Sequence, residues 1–273
     1  MNFLVDDELL QTCKHVATIS RLKYHGPDRS FVPPATSKTA TVTFIEVNDK
    51  SYAVTARHVI ESFRNSALQE GYEDEGYLCV QSPGVDINGP FLTPPPTGLI
   101  TATPDMAICP IDKKLPSRIN KEAFQVLAQN DANWPISLAV AIGFPTDEKH
   151  DLQNSHGNLN LALSCVHAVA EGMDSDGLSD QVQFFSELSE MPTVGSLSGM
   201  SGGPVFWSDG ARHGLLGFVK EGLDISVSEC GDKPKVQFIC QRVDYAIMER
   251  WTNYIDRNWQ SERDKINAMF CEL

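Results

Sequence analysis

A serine lies among glycines in the segment LSGMSGGPVF, residues 197–206, where Gly199, Gly202 and Gly203 surround Ser201. Glycine adopts backbone angles that other residues avoid and lets neighbouring atoms approach closely, so the segment predicts a specially shaped turn around the hydroxyl. A serine hydroxyl is a poor nucleophile at neutral pH until a base removes its proton, and that base needs a third group to fix its tautomer. If Ser201 does chemistry, the chain must therefore also supply a histidine and a buried carboxylate.

His58 and Asp105 are the candidates for these two partners. Among the seven histidines, His58 closes the strand-like segment AVTARHVI, and the end of a strand can present a side chain at the rim of a barrel. Asp105 comes directly before the apolar segment MAICPI, where an acid needs a hydrogen-bonding partner to be tolerated. Each residue alone also has a plain structural interpretation, a satisfied histidine and a turn-forming aspartate after a proline.

The three segments TARHV, PDMAI and GMSGGP, in the order His, Asp, Ser, together resemble the signature blocks of the chymotrypsin-like (trypsin-fold) serine proteases. The resemblance extends from about residue 38 to residue 250. It implies that Ser201 attacks a peptide carbonyl, that His58 transfers the proton and that Asp105 orients His58. It also implies an oxyanion hole formed by the backbone amides of Gly199 and Ser201. No cofactor and no metal ion belong to this chemistry.

The resemblance further implies where a substrate side chain would bind: at Gly195 and Ser196 before the nucleophile, and at Lys220 and Gly222 on a later strand. Because Gly195 and Ser196 carry no carboxylate, a preference for Arg or Lys is not predicted. Lys220 has two interpretations. It could favour an acidic substrate side chain, or it could extend into solvent beside Glu221, which is the commoner situation for a lone lysine.

Two positions differ from the extracellular members of that family. Met200 stands where those proteins have the aspartate that pairs with a new N-terminus after zymogen cleavage, and Val59 stands where they have a cysteine. Both differences favour the intracellular or bacterial branches, Deg/HtrA-like or glutamyl-endopeptidase-like, and we expect no PDZ domain after residue 260. Activation by N-terminal cleavage is not expected, so control by an activating protein partner or by loop ordering is predicted.

Composition excludes several other classes of function. A net charge of −14 and a pI near 4.8 argue against binding to nucleic acid. No apolar run approaches the roughly 20 residues of a membrane span, and the acidic N-terminal residues do not resemble a secretory signal. The seven cysteines contain no CxxC pair and predict reduced thiols, hence a cytoplasmic location. A polypeptide substrate is expected, with no membrane partner.

Short strands separated by Gly and Pro predict an all-β fold, and the resemblance makes this two six-stranded antiparallel β-barrels with an N-terminal and a C-terminal helix. The expected divisions are an N-terminal helical extension at 1–30, a first barrel at 31–125 with His58 and Asp105, a second barrel at 126–243 with Ser201, and a C-terminal helix at 244–273. Residues 113–135 are expected to cross between the barrels, and the Pro/Gly-rich residues 82–104 to form a surface loop that overhangs the site.

The C-terminal helix is predicted from apolar residues four apart, Ile247, Trp251, Ile255 and Trp259, with Asp244 as its cap and the second barrel as its packing partner. Two functions from different classes remain open at this point. The first is a serine endopeptidase. The alternative is a protease-fold binding module with an unused triad and an oxyanion hole collapsed around Met200, and a hydrolase of small esters ranks third.

Overall fold

The structure is a computed structural model that describes part of the chain. The described residues are 11–25, 30–31, 39–70, 72–80, 84–87, 89–98, 100, 102–136, 138–146, 149–153, 159–163, 166–170, 172–174, 180–187, 196–209, 212–222 and 234–271.

β-strands make up about half of the described residues, and nearly all of them pair antiparallel. In chain order the strands are β1 (Val16–His25), β2 (Ser30–Phe31), β3 (Thr39–Val47), β4 (Lys50–Thr55), β5 (Tyr72–Val80), β6 (Gly84–Ile87), β7 (Ala107–Ile111), β8 (Phe124–Gln125), β9 (Leu138–Gly143), β10 (Lys149–Gln153), β11 (Leu159–Leu163), β12 (Val166–Ala170), β13 (Gly172–Asp174), β14 (Gln181–Glu187), β15 (Pro204–Ser208), β16 (His213–Gly222) and β17 (Lys235–Arg242). The α-helices are α1 (Arg57–Glu70) and α2 (Tyr245–Cys271). Short 3-10 turns lie at Cys13–His15, Pro116–Ile119 and Ala128–Asn130.

The strands form two large sheets and one separate hairpin. In the first sheet the order is β6-β5-β1-β3-β4-β7, a nearly closed six-strand barrel, with β2 beside β1 and β8 beside β3. In the second sheet the order is β12-β9-β15-β16-β17-β14-β13, and among the described strands β10 pairs only with β11. The predicted all-β class is therefore confirmed, and within the described residues the second sheet has seven strands rather than the predicted six.

The β3–β4 hairpin follows its sequence signals closely. The two strands pair from Thr43 opposite Val54 to Val47 opposite Lys50. Asn48 and Asp49 both have positive φ, at 49° and 62°, which is the backbone of the two-residue hairpin turns that match the twist of the strands. Between β7 and β9, the two-residue β8 is the only strand among the described residues.

The N-terminal helix prediction is wrong for the residues after His15. Val16–His25 is strand β1, which pairs with β3 on one edge and β5 on the other, so the first sheet begins well before residue 31. The apolar spacing of Val16 and Ile19 fits either a helix or a strand. The β-branched residues Val16, Thr18 and Ile19 favour a strand, and two neighbouring strands give that strand its hydrogen bonds. Residues 1–10 lie outside the described part of the chain.

Two further elements differ from the sequence prediction. The strand expected to run through His58 ends at Thr55, and helix α1 begins at Arg57. Within the segment predicted as a surface loop, Gly84–Ile87 forms edge strand β6 beside β5. Two other residues of that segment, Phe91 and Ile100, are buried, so the segment is not wholly a surface loop.

Helix α2 confirms its predicted cap and apolar face but packs on a different partner. Asp244 accepts the N–H of Ile247 at 2.7 Å, as a capping residue does. The helix lies mainly against β7 and β3 of the first sheet rather than on the second. Its indoles donate to the predicted loop, Trp251 to the Pro95 carbonyl at 3.1 Å and Trp259 to the Pro90 carbonyl at 3.0 Å.

A shared apolar core joins the two sheets beneath the site. Val54 and Ile108 from the first sheet, Val140 and Phe206 from the second, and Trp251 from α2 belong to one buried cluster. Each sheet also has a cluster of its own. Because side chains in close-packed cores shift little, this continuity fixes the two sheets relative to each other.

Candidate active site

Asp105 and His58 are joined by a short contact between their side chains. The His58 ring nitrogen Nδ1 lies 2.7 Å from Asp105 Oδ2, and the backbone N–H of His58 donates to Asp105 Oδ1 at 3.0 Å. A carboxylate can only accept, so Nδ1 carries the hydrogen and Nε2 is left as the basic nitrogen of a neutral ring. The carboxylate is largely buried, with its side chain 10% exposed, whereas the His58 side chain is 48% exposed.

The start of helix α1 explains why these residues meet. Its first backbone N–H groups have no partner within the helix, and a carboxylate at that end satisfies one of them and complements the helix dipole. Asp105 does this for His58, while the Asp105 carbonyl accepts the N–H of Arg57 at 3.3 Å. The Arg57 guanidinium Nε lies 4.0 Å from Asp105 Oδ1. His58 is therefore held by a capped helix start rather than by the end of a strand.

Ser201 lies between the two sheets in a turn that precedes β15. Its hydroxyl donates to the backbone carbonyl of Lys220 at 3.3 Å. It lines the same cavity as His58 and Asp105, a cleft of about 520 Å³. The three residues predicted from the sequence are thus brought to one cleft, with the serine hydroxyl held by the main chain of β16.

The glycines around Ser201 are required by close approach. Gly202 has φ of 88°, and a Cβ there would lie 2.4 Å from Thr55 Oγ1 and 2.5 Å from the Thr41 carbonyl oxygen. A Cβ on Gly203 would lie 1.9 Å from the Ile142 carbonyl oxygen. Any side chain at these two positions would therefore push the serine turn away from both sheets.

The amides of Gly199 and Ser201 are directed by neighbouring hydrogen bonds. The Ser198 carbonyl accepts from Thr146 N–H at 2.7 Å, and the Met200 carbonyl accepts from Gly203 N–H at 2.8 Å. The N–H of a trans peptide points opposite to its carbonyl, so the next two amides point away from these contacts. Among the described residues neither amide has an acceptor.

The residues that carry these amides lie beside His58. Gly199 and Ser201 both line a second cavity of about 340 Å³ that also reaches His58. Met200, between them, is 1% exposed and packs in the core of the second sheet. Backbone N–H groups beside a nucleophile can donate to an oxyanion, which is the role predicted for Gly199 and Ser201.

Buried threonines of the first sheet hold the serine turn. Thr41 Oγ1 donates to the Gly199 carbonyl at 2.9 Å and accepts from Phe144 N–H at 3.0 Å. Thr43 Oγ1 donates to the Gly202 carbonyl at 2.8 Å. Both threonines are 0% exposed. This role of the threonines was not predicted from the sequence. The alternation TATVTF does place threonines on one face of β3, so it could have indicated the role.

The predicted substrate-binding residues are only partly brought together. Lys220 and Gly222 line the larger cavity, and Lys220 Nζ donates to Gln181 Oε1 at 3.1 Å. Ser196 lines neither cavity among the described residues, and its hydroxyl instead accepts the N–H of Ser198 at 3.1 Å. Gly195 lies outside the described residues.

Several lining residues were not singled out from the sequence. The larger cavity also carries residues from the start of β14 and from β17, and the end of the predicted overhanging loop reaches it. These residues are Ala102, Thr103, Asp180, Gln181 and Gln241. Only the fold brings β14 beside β17, so no local sequence signal could have found Asp180 or Gln181.

Among the described residues, no cysteine lines either cavity. Burial raises the pKa of the Cys109 thiol to about 12, and Cys13, Cys109 and Cys240 are free thiols. Within the described ranges, no group of three His, Cys, Asp or Glu side chains is placed to hold a metal ion. Neither α1 nor α2, the helices of the described chain, has the length and apolar character needed to cross a membrane.

No protein-family model matches the sequence, and no curated protein matches it. Among solved structures, a thermostable serine protease, AL20, from an extremophilic microorganism is similar over 88% of this chain and 96% of its own, at 10% identity and a TM-score of 0.46. The protease Anisep from Arthrobacter nicotinovorans is similar over 88% and 94%, at 13% identity and a TM-score of 0.46. Likenesses at this level assign neither a family nor an activity to the chain.

Proposed function

We propose that this chain is a serine endopeptidase that hydrolyses polypeptides through an acyl-enzyme, with His58, Asp105 and Ser201 as its triad. The observation that carries the proposal is the 2.7 Å contact between His58 Nδ1 and Asp105 Oδ2 in a cleft that Ser201 also lines. That contact sets the ring tautomer a general base requires. A cytoplasmic site of action and a place near the Deg/HtrA-like or glutamyl-endopeptidase-like branches form part of the same proposal.

In the proposed reaction, Ser201 Oγ forms a bond to the scissile carbonyl carbon as His58 Nε2 takes its proton. The resulting oxyanion accepts hydrogen bonds from the amides of Gly199 and Ser201. The C–N bond then breaks, and the imidazolium gives its proton to the leaving amine. Water, deprotonated by Nε2, attacks the ester carbonyl; the bond between that carbon and Ser201 Oγ then breaks as the imidazolium returns the proton to Oγ, which releases the new carboxyl end. Asp105 stabilises the charged ring in both halves.

One rearrangement must precede the first step. The Ser201 hydroxyl donates to the Lys220 carbonyl at 3.3 Å, so it must turn toward His58 before its proton can be transferred. Rotation between staggered side-chain rotamers is fast compared with turnover. This contact is also the observation that favours the second candidate, a binding module whose triad is complete but unused. Control by an activating partner or by ordering of a loop would act on this equilibrium.

The test is covalent labelling of the folded protein with a fluorophosphonate, which reacts only with an activated serine. We expect one adduct per chain, mapped to Ser201 by peptide mass spectrometry, and no adduct in Ser201→Ala or His58→Ala. His213→Ala, which changes an exposed histidine that lines neither cavity, serves as the matched control and should label like the wild type. A folded wild-type protein without a Ser201 adduct would favour the binding module.

A further inference from the structure

Lys220 belongs to strand β16, and its ammonium group lies in the wall of the larger cavity. We propose that this lysine selects substrates with an acidic side chain close to the scissile bond. The inference rests on the proposed function, because it concerns the substrate class of that same cleft. It assigns to Lys220 the first of the two interpretations left open by the sequence, substrate recognition rather than extension into solvent.

The position of the ammonium is fixed by a neighbouring strand. Lys220 is partly buried, and its Nζ donates to Gln181 Oε1 at 3.1 Å. Gln181 begins β14, and both residues line the cavity together with Ser201. The Lys220 carbonyl meanwhile accepts the Ser201 hydroxyl at 3.3 Å. One residue therefore contacts the candidate nucleophile through its backbone and the cavity wall through its side chain.

A strand irregularity sets the direction of this side chain. Val219 pairs with Cys240 and Glu221 pairs with Ile239, so β16 contains one more residue than β17 at this point, and Lys220 is the extra one. Such β-bulges bend a strand and re-aim a side chain, and they are common beside active sites. Because of the bulge, the Lys220 side chain points in a direction that regular alternation along β16 would not give it.

The Lys220 ammonium has no carboxylate partner among the described residues. Within the described part of the chain its hydrogen bond goes to the neutral Gln181 amide, and Asp180 and Glu221 line the cavity without reaching ion-pair distance. A partly buried ammonium gains most from a carboxylate, which accepts charge-assisted hydrogen bonds roughly twice as strong as neutral ones. An ionised Glu or Asp side chain of a substrate would supply the missing counter-charge.

The experiment compares matched peptides that carry glutamate, glutamine or lysine at positions flanking the scissile bond. For the wild type we expect kcat/KM to be about tenfold higher for glutamate than for glutamine, and the ratio to fall as salt screens the pair. In Lys220→Met the ratio should fall to about one, and in Lys220→Glu the lysine peptide should become the best. Lys235→Met removes a lysine of the same sheet that does not line the cavity and should keep the wild-type ratio.

Binding to the Ser201→Ala chain separates the failure of this inference from the failure of the proposed function. Fluorescence anisotropy should show tighter binding of the glutamate peptide, and the added Lys220→Met change should abolish the difference. If Ser201 fails to react with a fluorophosphonate but this binding preference holds, catalysis is wrong and selection by Lys220 stands. Equal handling of glutamate and glutamine by a reactive enzyme, or a preference that survives Lys220→Met, overturns the role of Lys220.

Discussion

At the scale of single residues, Asp105 serves the fold and the chemistry with the same carboxylate. One oxygen accepts the backbone N–H of His58 at the start of α1, and the other contacts the ring Nδ1. The sequence indicated only that an acid before an apolar strand needed a partner. The capping contact depends on helix α1, which the sequence reading did not predict, so this second role could not be foreseen.

Asp105→Asn should leave the protein folded and lower kcat/KM for a peptide substrate by about 10⁴-fold, the size of effect seen in serine proteases. The asparagine amide can donate to Nδ1 and so favours the tautomer in which Nε2 carries the hydrogen and cannot act as a base. Steady-state kinetics and circular dichroism check the two parts. Asp209→Asn, at an exposed aspartate paired with Arg212, is the control, and a loss of similar size there would contradict the explanation.

Gly202→Ala should destabilise the fold and remove fluorophosphonate labelling together. The positive φ of 88° strains an alanine, and its Cβ would lie 2.4 Å from Thr55 Oγ1. Backbone strain alone costs about 1–3 kcal/mol. Urea unfolding measures the loss. Gly98→Ala is the comparison, because Gly98 has a similar positive φ of 64° with open space around its Cβ. If both variants lose the same stability and both still label, close packing at Gly202 is not what matters.

At the scale of elements, strand β3 of the first sheet fixes the serine turn that belongs to the second. Thr41 and Thr43 point from one face of β3 and donate to the carbonyls of Gly199 and Gly202. The strand itself could be predicted from its alternation and its hairpin turn. The contact between β3 and the serine turn could not be predicted. It joins residues about 160 positions apart, and only the fold brings such distant residues together.

Thr41→Val should cost more than Thr43→Val in both stability and labelling rate. Valine keeps the shape at either position. At Thr41, however, it leaves both the Gly199 carbonyl and the Phe144 N–H without their partner, whereas at Thr43 only one bond is lost. Each unsatisfied buried group costs about 1–3 kcal/mol. Urea denaturation and the rate of fluorophosphonate labelling are the readouts. Equal effects of the two substitutions would show that the double contact of Thr41 has no special weight.

Helix α2 contacts the segment that leads to Asp105 through Trp251, which is fully buried. Trp251→Phe should lower the free energy of unfolding by about 1–3 kcal/mol, because the Pro95 carbonyl loses its indole donor while most of the volume is kept. Trp251→Ala should cost about 3–5 kcal/mol. Thermal and urea unfolding measure both. Two substitutions with the same small effect would contradict the packing of α2 against the first sheet.

Strand β1 shows why local patterns failed at some elements. Its apolar positions Val16 and Ile19 fit a helix as well as a strand, and the choice is made by β3 and β5 on its two edges. For helix α1 the error was the opposite one: a strand was predicted and a helix is found, because the segment RHVI resembles the end of a strand with β-branched residues. Its actual start depends on Asp105, which lies 47 positions away in the sequence.

At the scale of the whole molecule, His15 lies where the two sheets meet. Its ring is 5.3 Å from the ring of Phe124 beside the first sheet and 6.3 Å from that of Phe206 in the second. Burial lowers the pKa of His15 below its ordinary value, although the Glu122 carbonyl and carboxylate raise it, and Lys14 and Lys121 lower it further. The neutral ring is therefore favoured at this junction.

Stability should fall below about pH 6.5, the ordinary pKa of histidine. Since the folded pKa is lower than the unfolded one, the unfolded chain binds the proton first, and stability is lost as the pH falls toward the folded pKa. His15→Phe should reduce the difference in unfolding free energy between pH 7.5 and 5.5, measured with urea. His213→Phe, at an exposed position, should leave that difference unchanged. An unaltered pH dependence in His15→Phe would contradict a role for this residue.

The most direct measurement for the central claim is a peptide-library cleavage profile read by mass spectrometry. We expect the wild type to cut internal peptide bonds at defined positions, and we expect both Ser201→Ala and His58→Ala to lose every one of those cuts. Asp105→Asn should keep the same positions at a greatly reduced rate. A profile that survives in folded Ser201→Ala, or a folded and Ser201-labelled wild type that cuts no peptide, would contradict the account of this cleft as an endopeptidase site.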